Sequence, residues 1–396
     1  MLPLAVTGLG VVSPIGIGRA AFLSALSDAS AAQARAFGGP VSALDTGRYA
    51  AASVAEVSGF DAKQFLGDKG LRNFDRLTRM LIVAAKHALE DAGVKRDGAF
   101  VAGSPDRTGI CAATAYGALD SITEINRVAE LEHPRYLNPS RFPNTVINSA
   151  AGYTGIWEGL EGPNVTIVDG NCGAADAVLT ASTHLRSRRA DVLLVGGGEV
   201  LSEPLYLAFS KLGLVPQGAD GEPFFGMRLG EGAALLCTES SEHARKRGAP
   251  VLAEITGYGT AFEPPPDSAK LVHASPRSVE QAVRSALADA GIAPEDIDLS
   301  VCAESGFERL DLAERTGLGR VFGPELATVA PKAIWGETFG ASAALDLAAC
   351  IGWLGGTQVA PLIRGTLSRP PRVALVTALG YYGNVSAVVV RKASTS

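Results

Sequence analysis

The chain has 396 residues, 47% of them hydrophobic, which is ample apolar material for one large core or two smaller ones and excludes a disordered protein. Its net charge is −6, and its 35 lysines and arginines form no dense basic stripe, which excludes nucleic acid as a partner. No apolar run is long enough to span a membrane, and Gly8, Gly10, Ser13 and Pro14 interrupt the apolar start before signal-peptide length, so the expected compartment is the cytoplasm.

Short continuous apolar runs at 3–8, 107–113, 164–169, 191–197, 232–237, 251–257, 297–303, 326–330 and 372–378 predict strands buried on both faces. Between them, Leu77 to Gly93, Gly173 to Arg188 and Ser278 to Gly291 have helical apolar spacing, so the class is α/β. The chain also repeats itself weakly. Val6-Thr7-Gly8-Leu9-Gly10 returns as Ile255-Thr256-Gly257-Tyr258-Gly259, Ala88-Leu89-Glu90-Asp91-Ala92-Gly93 as Ala286-Leu287-Ala288-Asp289-Ala290-Gly291, and Ile110-Cys111-Ala112 as Val301-Cys302-Ala303. Echoes in the same order predict two similarly folded halves, 1–250 and 251–396. Chemistry in such sheets gathers beyond the carboxyl ends of strands, which directs attention to 169–173, 304–307 and 332–340.

Gly8-Leu9-Gly10 has Ser13 where a dinucleotide fingerprint needs its third glycine, so it reads as a tight strand exit and no nicotinamide is expected. Phosphate-loop and zincin motifs do not occur, and neither cofactor nor metal is expected. The cysteines at 111, 172, 237, 302 and 350 are odd in number with no C-x-x-C spacing, which predicts free thiols. All but Cys172 sit in apolar runs that read as buried and inert. In Asp169-Gly170-Asn171-Cys172-Gly173 a strand ends in a polar, glycine-containing turn and a helix opens at the cysteine, where the helix dipole favours thiolate. The alternative is a small residue required by packing, and Asp176, one turn along, would oppose thiolate formation.

The run Val6-Thr7-Gly8-Leu9-Gly10-Val11-Val12-Ser13-Pro14-Ile15-Gly16 resembles the opening of the β-ketoacyl-acyl-carrier-protein synthases. Pro143-Asn144-Thr145-Val146-Ile147-Asn148 is similar to their segment ahead of the nucleophile, and Gly230-Glu231-Gly232-Ala233 to their G-E-G-A loop. The resemblance implies a thiolase-like fold in a layered αβαβα arrangement, an acyl-accepting Cys172, acyl carrier protein as partner, and a homodimer or a heterodimer with another ketosynthase subunit. It also implies an acyltransferase of fatty-acid or polyketide biosynthesis. Leu379-Gly380-Tyr381-Tyr382-Gly383-Asn384 resembles the C-terminal G-F-G-G-T-N loop. Tyr381 would then be the gate, its N–H and that of Cys172 the oxyanion hole, and Tyr116 and Phe142 further substrate-facing residues.

Where the family reads N-A-H-G-T this chain has Cys302-Ala303-Glu304-Ser305-Gly306, and where it reads K-S-x-x-G-H it has Lys332-Ala333-Ile334-Trp335-Gly336-Glu337. Both histidines have become glutamate. A carboxylate cannot donate a hydrogen bond to a developing enolate, and one like-charge contact at roughly 4 Å costs about 4 kcal/mol at an effective dielectric near 20. Ordinary decarboxylative elongation is therefore expected to be impaired. Two readings follow. In one, Glu304 and Glu337 share a proton or one of them pairs with Lys332, and the pair serves acyl transfer from Cys172; Glu337→Gln would then be tolerated. In the other, the chain is a chain-length-factor-like subunit that condenses nothing, a class that commonly has glutamine in place of the cysteine.

Overall fold

The computed structural model describes residues 1–45, 47–49, 52–216, 226–267 and 272–393. The main sheet is built from β1 (Leu4–Ser13), β2 (Thr108–Ala113), β3 (Asn164–Ile167), β4 (Val192–Glu199), β5 (Gly232–Ser240), β6 (Ala253–Phe262), β7 (Leu299–Val301), β8 (Thr328–Val329), β9 (Val373–Leu379) and β10 (Asn384–Lys392). Their order is β8-β7-β9-β10-β6-β1-β5-β4-β2-β3. Read outward from the central antiparallel β1–β6 pair, the two sides repeat: two antiparallel neighbours, then two parallel ones. The division expected near residue 250 falls between β5 and β6.

Helix α1 (Arg76–Asp91) lies on β1, and helix α4 (Pro276–Ala290) lies on β6. The repeated glycines exist for these contacts. A Cβ at Gly10 would fall 1.8 Å from the Ala84 carbonyl oxygen, and one at Gly259 would fall 2.2 Å from that of Ala282, so only glycine lets helix and strand approach so closely. The repeated aspartates fasten the same contacts. Asp91 accepts the Leu9 N–H at 2.9 Å and Asp289 accepts the Tyr258 N–H at 3.0 Å. Side-chain caps from Asp75 and Ser275 start the two helices, and Gly291 ends the second in the left-handed region at φ 65.

Helices α3 (Gly173–Arg186) and α6 (Ser342–Gly355) form the inner layer, packed on each other and on the strands, while α1 and α4 cover the outer faces. This is the layered αβαβα, thiolase-like arrangement. Every residue of α6 except Gly355 is buried, which is why its sequence shows no amphipathic stripe. Two further helices complete the frame of the site, α2 (Leu119–Leu131) and α5 (Glu308–Phe322). Each predicted strand falls on a strand of the sheet, and the three predicted helices are α1, α3 and α4. The sequence reading named no element at β10, α2, α5 or α6.

Candidate functional site

After β3 the chain passes through Val168 and Asp169 into a 3₁₀ turn, Gly170–Cys172, that feeds α3. The turn is closed by the Cys172 N–H, which donates to the Asp169 carbonyl at 3.0 Å. It sends consecutive side chains to different places. Asn171 lines a cavity of about 360 Å³ together with Tyr116, Asp169, Phe262, Tyr381 and Tyr382, and its Nδ2 donates to Glu337 at 3.2 Å. Cys172 is 0% exposed, packed in the central core, with Sγ 3.3 Å from the Ala378 carbonyl oxygen. Burial raises its thiol well above the ordinary range, and the carboxylates of Asp176 and Asp169 raise it further. The expectation of a thiolate facing a cleft is thereby corrected: a helix N-terminus cannot stabilise a thiolate that has lost its solvent and faces two acidic groups. The other cysteines are buried too, as their apolar runs predict.

Glu337, 1% exposed, is surrounded by donors. Oε2 accepts from Lys332 Nζ at 2.7 Å and from Asn171, and Oε1 accepts from the Phe339 N–H at 3.0 Å and the Ser342 hydroxyl at 2.6 Å. One of these bonds holds a strained residue, since Phe339 sits at φ 48, a left-handed conformation that a bulky side chain rarely adopts. Burial pulls the Lys332 ammonium down, but Glu337 and Asp346 outweigh it and hold the ammonium above its ordinary value. Asp346 itself is pushed well above the carboxylate range by burial, and beside it Lys332 and Glu337 form a buried ion pair.

Glu304 goes elsewhere. Its oxygens accept from Arg364 at 2.6 Å and Arg315 at 3.3 Å, and it shares no hydrogen-bond partner with Glu337. Of the two arrangements open to the glutamates, the structure holds the Lys332 pairing and gives no shared proton.

Tyr116, Phe209, Phe339 and Tyr381 close the inner end of the site as a block of rings. Tyr116 meets Phe339 at 5.4 Å, Phe209 meets Phe339 at 5.0 Å, and Tyr381 meets Phe209 at 5.8 Å. Buried Glu199 fixes the block by accepting from Thr114 Oγ1 and from the N–H groups of Ala115, Gly117 and Gly340, at 2.6 to 3.3 Å. This ties the Tyr116 loop to the Phe339 loop. Phe142 is 65% exposed on a surface turn and does not line the cavity.

A family model described as "Beta-ketoacyl synthase, N-terminal domain" matches residues 1–244, and one described as "Beta-ketoacyl synthase, C-terminal domain" matches residues 252–366. The chain belongs to the β-ketoacyl synthase family. It is 31% identical, over 98% of each chain, to "Actinorhodin polyketide putative beta-ketoacyl synthase 2" of Streptomyces coelicolor. It is 30% identical, again over 98% of each chain, to "Tetracenomycin polyketide synthase ketoacyl synthase beta subunit" of Streptomyces glaucescens. Among solved structures it is similar to "The ishigamide ketosynthase/chain length factor", with a TM-score of 0.85 at 22% identity over 99% of this chain and all of that one.

Set on this β-ketoacyl synthase fold, the turn before α3 presents Asn171 to the pocket, one position ahead of Cys172. The sequence pattern alone could not distinguish the two, because adjacent residues in a turn share every neighbour in the chain. The oxyanion hole expected from the Cys172 N–H is likewise corrected, since that N–H is spent on the Asp169 carbonyl. Sequence reasoning pointed to 169–173 but gave Asp169 no role, and it missed Glu199 and Asp346. Glu199, like Asp169 at or beside the carboxyl end of a strand, carried the one signal that could have found it.

Proposed function

We propose that the chain is a non-condensing subunit of chain-length-factor type, which pairs with an active ketosynthase and acts on acyl groups carried by acyl carrier protein. The observation that carries this reading is the pocket wall, where an amide side chain, Asn171, stands in reach of Glu337 while the neighbouring thiol is 0% exposed. An amide cannot take an acyl group from a thioester, and the carboxylate of Glu337, with four donors already upon it, neither donates to an enolate nor serves as a free base. The named relatives include a ketoacyl synthase beta subunit, in keeping with this role.

The pairing surface in this reading is the β3 edge of the sheet and the apolar side chains beside it. Ile156 is 78% exposed on the helix that packs on β2 and β3, and Leu131, Tyr136 and Phe142, on segments that pack against one another through α2, are 77%, 59% and 65% exposed. An open strand edge beside such a surface calls for a partner of matching fold.

The test is intact-protein mass spectrometry of the chain co-purified with a ketosynthase and incubated with acyl-acyl-carrier-protein thioesters. The expected result is an acyl adduct on the ketosynthase and none on this chain. An adduct mapping to Cys172 overturns the proposal and restores the acyl-enzyme reading. Ile156→Asp should abolish co-purification without lowering the chain's own melting temperature.

A further inference from the structure

The 360 Å³ cavity is lined by one carboxylate, two amides and three tyrosines. Among the described residues no lysine, arginine or histidine lines it. Its polar wall combines the Asp169 carboxylate and the Asn171 amide with the hydroxyls of Tyr116, Tyr381 and Tyr382. Asn171, which lines the cavity, is 2% exposed, and with its Nδ2 given to Glu337 its buried Oδ1 has no hydrogen-bond partner. Asp169 lines the same cavity and is oriented by the Asn384 amide, which donates to its Oδ1 at 2.9 Å. Behind it, Asp176 is held by the hydroxyls of Tyr258 and Ser386, each at 2.6 Å, so its remaining oxygen is left to Asp169. Around these acceptors stand Tyr116, Phe262, Tyr381 and Tyr382, of which Phe262 and Tyr382 are 63% and 62% exposed. Aromatic faces beside a carboxylate attract organic cations.

We propose that this pocket binds a primary ammonium group on an apolar body and rejects carboxylate-bearing acyl groups. An ammonium brings up to three donors, which the Asp169 carboxylate, the tyrosine hydroxyl oxygens and the Asn171 carbonyl can accept. A carboxylate brings no donor and meets Asp169 as a like charge. The inference concerns the pocket named above and rests on its not being a condensing site. It is measured on the chain alone, so its failure leaves the pairing with a ketosynthase untouched.

The experiment is a calorimetric or NMR titration with n-pentylammonium, n-pentanol and pentanoate at constant ionic strength. Pentylammonium should bind at least ten-fold more tightly than pentanoate, with pentanol between them. Asp169→Asn, which keeps an acceptor for Asn384, should remove the preference, and Tyr382→Ala should weaken pentylammonium more than pentanol. In the unaltered protein, added salt should weaken pentylammonium and leave pentanol unchanged, a comparison that needs no variant to fold. Pentanoate binding as tightly as pentylammonium, a ranking unaffected by Asp169→Asn in a folded variant, or no binding of pentylammonium at millimolar concentration each overturns the proposal.

Discussion

Two residues that look catalytic in the sequence are buried in the fold. Glu337 joins Lys332, Asn171, the Phe339 N–H and the Ser342 hydroxyl, and all four are donors. A glutamine there must turn its own NH₂ against at least one of them, so Glu337→Gln is expected to destabilise, contrary to the tolerance expected from the sequence under either arrangement. Lys332→Ala leaves Glu337 as an uncompensated buried charge, and each single change should cost about 3–5 kcal/mol in denaturant unfolding. The double variant Lys332→Met/Glu337→Gln should recover part of that loss; strict additivity would show that the pair does not interact. Cys172 is the second case. With its thiol buried and raised, native protein at pH 8 should take up iodoacetamide at no cysteine on the timescale of a free thiol, with labelling only on unfolding. Rapid modification of Cys172, read by peptide mass spectrometry, would place the thiol back in the pocket.

At the scale of elements, the helix-on-strand contacts of α1 and α4 depend on missing side chains. Gly10→Ala and Gly259→Ala each drive a Cβ into a helix carbonyl and should lower stability by about 3 kcal/mol or more, by separating helix from strand. Gly319, inside α5 with nothing within 4 Å of a Cβ, is the counterpart. Gly319→Ala should stabilise by about 0.5–1 kcal/mol, because only the helical backbone preference changes. Thermal melts of the three variants separate the two roles. Equal effects at Gly10 and Gly319 would mean that the close approach does not matter.

Over the whole molecule, stability should decline as pH rises through neutrality. Burial lifts Glu199 and Glu314 from 4.5 to about 7, and burial with the bond to Asp169 lifts Asp176 from 3.8 to about 7. Each holds its proton in the fold at pH values where the unfolded chain has released it. The stability they contribute is therefore complete below the unfolded values and is lost as pH climbs to about 7. Glu314 isolates the effect, since one oxygen accepts from the Ala303 N–H and Thr377 and the other has no partner. Glu314→Gln copies the neutral acid, and it should flatten the fall in melting temperature between pH 5 and 8 by the equivalent of roughly 2–3 kcal/mol. Parallel profiles for variant and parent would show that Glu314 does not titrate in that range.

By itself the sequence determined the class, the repeated frame and the family. Apolar runs of strand length, the glycines at 8, 10, 257 and 259, and the aspartates at 91 and 289 act through contacts whose pattern is local and periodic. β10 and α6 were harder to read: α6 is buried all round and so lacks an alternating face. What the tertiary structure alone decided is which side chains face the pocket. The single step from Asn171 to Cys172 moves a side chain from the cavity wall to the core, and Glu304 and Glu337, alike in sequence, are separated because Arg315 and Arg364 are brought to one while Lys332 lies beneath the other. Those directions are set by packing between segments far apart in the chain, which no local pattern encodes.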